Sequence, residues 1–178
     1  MTDVARFEAF VREYQHLVFA TAVRLLGRAA EAEDVSQTVF LKAFERFDEI
    51  GGSPSAPGWL KTVTTHLCLN HLSRYRARWQ LFSELNSDAA ADASFADNIA
   101  APEAPRTDQD ERTSARLDRL ESALRALPDH QRVPIALFHF DGLSYDDIAT
   151  LLGVSLGKVK TDIHRGRLAL KRVLDVVD

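Results

Sequence analysis

At 178 residues, with 46% hydrophobic and 27% charged side chains, the chain has the composition of a soluble globular protein of one ordinary domain or two small ones. A single cysteine, Cys68, excludes an intramolecular disulfide and fits a reducing cytosol. A net charge of -4 excludes a uniformly basic nucleic-acid coat. The segment after Met1-Thr2-Asp3 lacks a basic run followed by an apolar core. No apolar run approaches the roughly 18 residues of a membrane span, so the expectation is a cytoplasmic protein without membrane insertion. The charge is unevenly distributed. Between Glu49 and Glu84 there is no carboxylate, while Lys61, Arg74, Arg76 and Arg78 all fall there. Between Leu156 and Val173, Lys158, Lys160, Arg165, Arg167, Lys171 and Arg172 face only Asp162. From Ser83 to Glu111, between these basic blocks, Arg106 is outnumbered by Glu84, Asp88, Asp92, Asp97, Glu103, Asp108, Asp110 and Glu111.

In chain order, Phe7, Phe10, Val11, Tyr14, Leu17, Val18 and Leu25 recur at three and four, which predicts an amphipathic helix ending near Gly27. A second helix is expected from about Ala32 to Phe47, burying Val35, Val39, Phe40, Ala43, Phe44 and Phe47, before Gly51-Gly52-Ser53-Pro54 breaks the chain. A third runs from Trp59 to about Trp79, with Leu60, Val63, Leu67 and Cys68 on one side. These three helices make a first domain, residues 1–82. Residues 83–112 are poor in large apolar side chains and rich in Ala, Asp, Pro, Ser and Thr; they bury too little surface to offset ordering entropy and read as an acidic flexible linker. Periodicity returns at Leu117, Leu120, Leu124 and Leu127, stops at Pro128, and resumes through Ile135, Leu137, Phe138 and Phe140 up to the Asp141-Gly142 turn. The predicted fold class is therefore all-α: two small helical domains joined by a flexible linker, the second spanning 113–178.

The most informative stretch is Leu143–Arg172. Ser144, with Asp147 three residues on, predicts a capped helix over Tyr145–Leu152; Gly153 suits a tight turn, and Ser155 caps the next helix. On that helix Val159, Ile163, Gly166 and Leu170 fall on one side, so that Lys158, Thr161, His164 and Arg165 project outward with Lys160 and Arg167 on the flank. A short glycine turn followed by a helix with cations and hydrogen-bonding groups on its free face is a helix-turn-helix that fits the DNA major groove.

Leu127-Pro128, Gln131-Arg132, Gly142-Leu143-Ser144-Tyr145, Ile148-Ala149, Leu152-Gly153-Val154-Ser155, Val159-Lys160 and His164-Arg165 together resemble the C-terminal domain of extracytoplasmic-function sigma factors. The resemblance covers nearly the whole chain except the linker. It implies a transcription initiation factor, not an enzyme, that binds core RNA polymerase, directs it to promoters and helps open the DNA, with no cofactor. The second domain, region 4, would read the minus-thirty-five element through Lys158, Lys160, Thr161, His164, Arg165 and Arg167. In the first domain, region 2, Ala32-Glu33-Asp34-Val35, Gln37 and Phe40-Leu41 resemble the segment that docks on the clamp of the largest polymerase subunit. Trp59 to Arg78 resembles the part that melts and captures the minus-ten element. There Lys61, His66, Asn70, Arg74, Tyr75, Arg76 and Arg78 supply cations for phosphates and polar or flat groups for unstacked bases. Trp59 itself reads as core. The resemblance further implies an anti-sigma partner. The chain departs from the family pattern at Thr38 in the docking segment, and at Thr65, His66, Asn70, Pro134 and Asp162 in the DNA-reading parts, so promoter sequence does not transfer.

Two other readings stand beside this one. A conventional dimeric helix-turn-helix regulator would use the same second domain with an N-terminal dimerisation or sensing half. An enzyme carrying a DNA-binding domain would need an acid–base set that the first three helices lack. His66, Cys68 and His71, at helical positions i, i+2 and i+5, do not converge as metal ligands.

Overall fold

The computed structural model describes residues 3–83 and 108–175, and side chains over 3–73 and 112–175. Eight helices, and no strand, occur among the described residues: α1 (Asp3–Leu26), α2 (Ala29–Glu45), α3 (Phe47–Ile50), α4 (Ala56–Ser83), α5 (Asp108–Ala126), α6 (Asp129–His139), α7 (Tyr145–Leu152) and α8 (Leu156–Asp175). The all-α expectation of two helical domains holds. The predicted linker lies outside the described residues over 84–107, and residues 108–112, assigned to it from composition, are the first turn of α5.

In the first domain α1, α2 and α4 pack mutually, and α3 is a short turn of helix below α2. Val18, Ala22 and Leu25 of α1, Val35 and Val39 of α2, and Leu60 and Cys68 of α4 are buried together, as the three-and-four spacing requires. Trp59 is partly buried against this core, in keeping with its expected role. One predicted core residue is not there. Phe44 is 56% exposed, because Val35, Val39 and Ala43 define the buried stripe of α2 and Phe44 lies on its margin. Its ring is held from outside, edge-on to Phe7 at 4.9 Å.

In the second domain α6 packs on α7 and α8, with α5 against α8. Pro134 does not end α6. The helix runs through it with Pro134 buried, at the cost of the hydrogen bond its missing N–H would have made. Leu124 and Leu127 are buried as expected, whereas Leu117 is 56% exposed. Gly166 permits the approach of α8 to α6: a Cβ there would stand 2.3 Å from Ile135 Cδ1.

The two domains share a seam in which α5 and α6 lie against α1. Its centre is Arg132, 3% exposed, whose guanidinium donates to the carbonyls of Leu25 at 3.2 and 3.1 Å, Leu26 at 3.0 Å and Leu127 at 2.7 Å, and pairs with Asp129. A buried cation is tolerable only when its donors are satisfied, and here they close the last turn of α1, whose carbonyls lack helical partners. Gly27 makes this approach feasible: its φ of 75° reverses the chain, and a Cβ there would meet the Arg132 guanidinium carbon at 2.7 Å. At one side of Arg132, Arg24 donates to Glu121 Oε1 at 2.9 and 2.7 Å and lies over the Phe140 ring at 4.1 Å.

Candidate nucleic-acid interface

The helix-turn-helix forms through the local devices that its sequence predicts. The backbone N–H of Asp147 donates to Ser144 Oγ at 3.1 Å, and that hydroxyl donates to Asp147 Oδ2 at 2.7 Å. Gly153 ends α7 in the left-handed region at φ 65°, ψ 37°. Its N–H donates to the Thr150 carbonyl, and the Val154 N–H to that of Ala149, so α7 closes on a Schellman motif. The Lys158 N–H then donates to Ser155 Oγ at 3.2 Å, which caps α8. On α8, Val159, Ile163 and Gly166 are buried, and Lys158, Lys160, Thr161, His164, Arg165 and Arg167 are exposed. All six predicted DNA contacts of this helix thus lie on its accessible side, although they are not equally free. Arg167 Nη2 lies 3.2 Å from His139 Nε2, and its guanidinium stands over the Phe138 ring at 5.5 Å. Burial, and then the Arg167 charge, hold the His139 imidazole below its ordinary pKa, so the neutral ring accepts from Arg167. Lys158 Nζ is 2.6 Å from Asp162 Oδ2.

On α4 the candidates separate. His66 and Asn70 are exposed, with Thr62 one turn earlier on the same side. Lys61 instead faces the seam: its ammonium donates to the Phe140 carbonyl and lies 3.3 Å from Asp141 Oδ1. Thr65, which is buried, donates to Asp141 Oδ2 at 3.2 Å. The side chains of Arg74, Tyr75, Arg76 and Arg78 lie outside the described residues, although their backbone belongs to α4. Burial, with Asp141 adding to it, pushes the Cys68 thiol up to about 12, which leaves it protonated and inert. Cys68 points into the core, His66 to solvent and His71 to Glu31 at 3.3 Å, so the three share no common point.

On α2, Glu33, Asp34, Gln37 and Leu41 are exposed and Phe40 is half-buried against the core. Leu41 and Phe44, 67% and 56% exposed, leave an apolar step beside these acids. Thr38 turns its hydroxyl to the Asp34 carbonyl at 3.1 Å. The residues that sequence reasoning missed are those of the seam: Arg24, Thr65, Glu121, Arg132 and Asp141. The nearest signal was Gln131-Arg132, present as a motif without a role. Among the described residues no helix is long and apolar enough to cross a membrane.

Comparison with known proteins is consistent with this geometry. The family model for sigma-70 region 2 matches residues 10–78, and that for sigma-70 region 4 matches residues 117–170. The chain is 31% identical to the RNA polymerase sigma-H factor of Pseudomonas aeruginosa, over 97% of this chain and 88% of that protein. It is 32% identical to the ECF RNA polymerase sigma factor SigL of Mycobacterium tuberculosis, over 97% and 90% respectively. Among solved structures, the sigma factor RpoE of Bartonella quintana in complex with the anti-sigma factor NepR has the same fold, with a TM-score of 0.51, 24% identity and coverage of 96% of this chain and 99% of that one. The alternative of a conventional dimeric regulator gives way to these matches across both domains. The chain belongs to the extracytoplasmic-function family of RNA polymerase sigma factors and is an alternative transcription initiation factor.

Proposed function

We propose that separate helices divide the work of initiation by charge. The acidic and apolar face of α2, through Glu33, Asp34, Gln37, Phe40 and Leu41, docks on a basic clamp surface of the polymerase largest subunit, where complementary charge speeds association and the apolar side chains supply buried area. The cationic face of α8 enters the major groove of the minus-thirty-five duplex. Lys61, His66, Asn70, Arg74, Tyr75, Arg76 and Arg78 of α4 hold the separated minus-ten strand. The acidic segment between the domains follows cationic polymerase channels, favoured by Coulomb attraction. An anti-sigma protein binds the free factor, using apolar side chains that stand in solvent, among them Leu41, Phe44, Leu168 and Val173. The factor acts in the cytoplasm, at the nucleoid.

The observation that carries this reading is the separation of sign: exposed carboxylates beside exposed apolar groups on α2, and exposed cations on α8. The test is a pair of substitutions. Arg165→Ala is expected to weaken promoter-duplex binding by the polymerase complex by about 1–3 kcal/mol and to leave affinity for core enzyme unchanged. Asp34→Lys is expected to weaken core binding roughly tenfold or more, by setting like charges against each other, and to leave contacts of α8 with DNA intact. Equal loss of both activities in either variant would contradict the division.

A further inference from the structure

Asp162 is out of place on α8. The positions around it, Val159, Ile163 and Gly166, form the stripe that packs on the domain, and Asp162 is drawn into the same stripe at 6% exposure. A carboxylate taken that far out of water needs a compensating charge or donor. It has one in Lys158, a single turn earlier, with Nζ 2.6 Å from Oδ2. The lysine side chain is half-exposed, and its ammonium is held by this buried carboxylate. Lys160, Thr161, His164 and Arg165 are exposed, and among the described residues no carboxylate is paired with Lys160 or Arg165. The same helix therefore carries one cation whose charge is already answered within the chain and others whose charge is not.

We infer that Asp162 is a positioning residue that withdraws Lys158 from DNA. It cancels the lysine charge and directs the ammonium away from the accessible face, so that α8 contacts duplex through Lys160, Thr161, His164 and Arg165 without Lys158. This rests on the reading of α8 as the DNA-contacting helix. A lysine freed at this end of α8 reaches a phosphate, and a phosphate contact strengthens binding to any sequence. Asp162 thus lowers the grip of the factor on DNA in general and leaves binding to depend on the side chains that meet base edges.

The experiment uses the full chain bound to core polymerase. Its probes are a duplex selected by that complex from a randomised library and a scrambled duplex of the same length. Asp162→Asn, nearly identical in shape, is expected to strengthen binding to both duplexes several-fold at low salt and to steepen the log–log salt slope by about 0.9, the release associated with one further phosphate contact. Lys158→Ala in the Asp162→Asn background is expected to abolish that gain, whereas Lys158→Ala in the native background leaves the salt slope as it was. The inference is overturned if Asp162→Asn leaves the slope and the scrambled-duplex affinity unchanged. It is equally overturned if Lys158→Ala lowers the slope as much with Asp162 present as without it, a comparison that stands even where Asp162→Asn weakens the fold. A role for the pair in helix stability alone would move the thermal midpoint and not the salt slope. Arg165→Ala in the same assay separates the two ideas. With no loss from it, the reading of α8 fails and this inference fails with it; with loss from it and equal effects of Lys158→Ala in both backgrounds, only the inference fails.

Discussion

The described cations of the two basic blocks are held differently in the fold. On α8 the cations stand in solvent, and the interactions that restrain Lys158 and Arg167 come from Asp162 of the same helix and His139 of the same domain. On α4 the described cation, Lys61, is held by the other domain, through Asp141 and the Phe140 carbonyl. Charge in a sequence therefore specifies what a helix can bind, and packing decides whether it is free to bind. In the arrangement described, the α8 cations are exposed, whereas Lys61, 36% exposed, has its ammonium held by Asp141 and the Phe140 carbonyl, so use of Lys61 on DNA requires those contacts to break. A small, partly open pocket of about 70 Å³ is bordered there by Arg24, Lys61, Phe140 and Asp141.

The strongest way to break this contrast is to remove the centre of the seam. Arg132→Ala leaves the carbonyls of Leu25, Leu26 and Leu127 without their donors in a buried setting and is expected to cost about 3 kcal/mol, read by urea unfolding. A loss below about 1 kcal/mol would mean that those carbonyls are met by water and that the domains separate readily in solution.

A milder change sharpens the contrast at Lys61. Asp141→Asn removes the charge opposite the ammonium while its amide oxygen still accepts from Thr65, so stability is expected to fall by only about 1 kcal/mol. Lys61 should then react faster with an amine-directed reagent, followed by peptide mass analysis, while Lys160 on α8 reacts at its former rate. Unchanged labelling of Lys61 would show that Asp141 does not cover it.

The smallest expected effect concerns His139 of α6, the neighbour of Arg167 on the open helix. The His139 pKa is depressed below its ordinary 6.5, so the unfolded chain takes up a proton before the folded one does. The contribution of neutral His139 to stability is therefore present above about pH 6.5 and is lost as pH falls through its lower folded-state value. His139→Asn should flatten the dependence of the unfolding midpoint on pH between about 7 and 5. An equally steep dependence in the variant would assign it to other groups.

Much of this molecule was legible in the linear sequence, and the reason is locality. The Ser144 and Ser155 caps, the Gly153 turn and the α7 limits depend on groups a few residues apart, so the sequence pattern contained them. The outward set on α8 followed from helical spacing and the buried stripe of Val159, Ile163 and Gly166. Composition was weaker at boundaries: the helical propensity of residues 108–112 was hidden by their acidity, and α5 begins inside the stretch read as linker. Phe44 was misread because helical periodicity gives a face and not its width, which depends on what packs against it. Only the tertiary structure decided that Arg132 would close α1, that Thr65 and Lys61 would meet Asp141, and that Asp162 would be buried. The partners of Arg132 in α1 are 106 and 107 residues away, and those of Lys61 in the second domain 79 and 80. Such pairings are fixed by which surfaces the two domains bury against each other, and no local pattern encodes that choice.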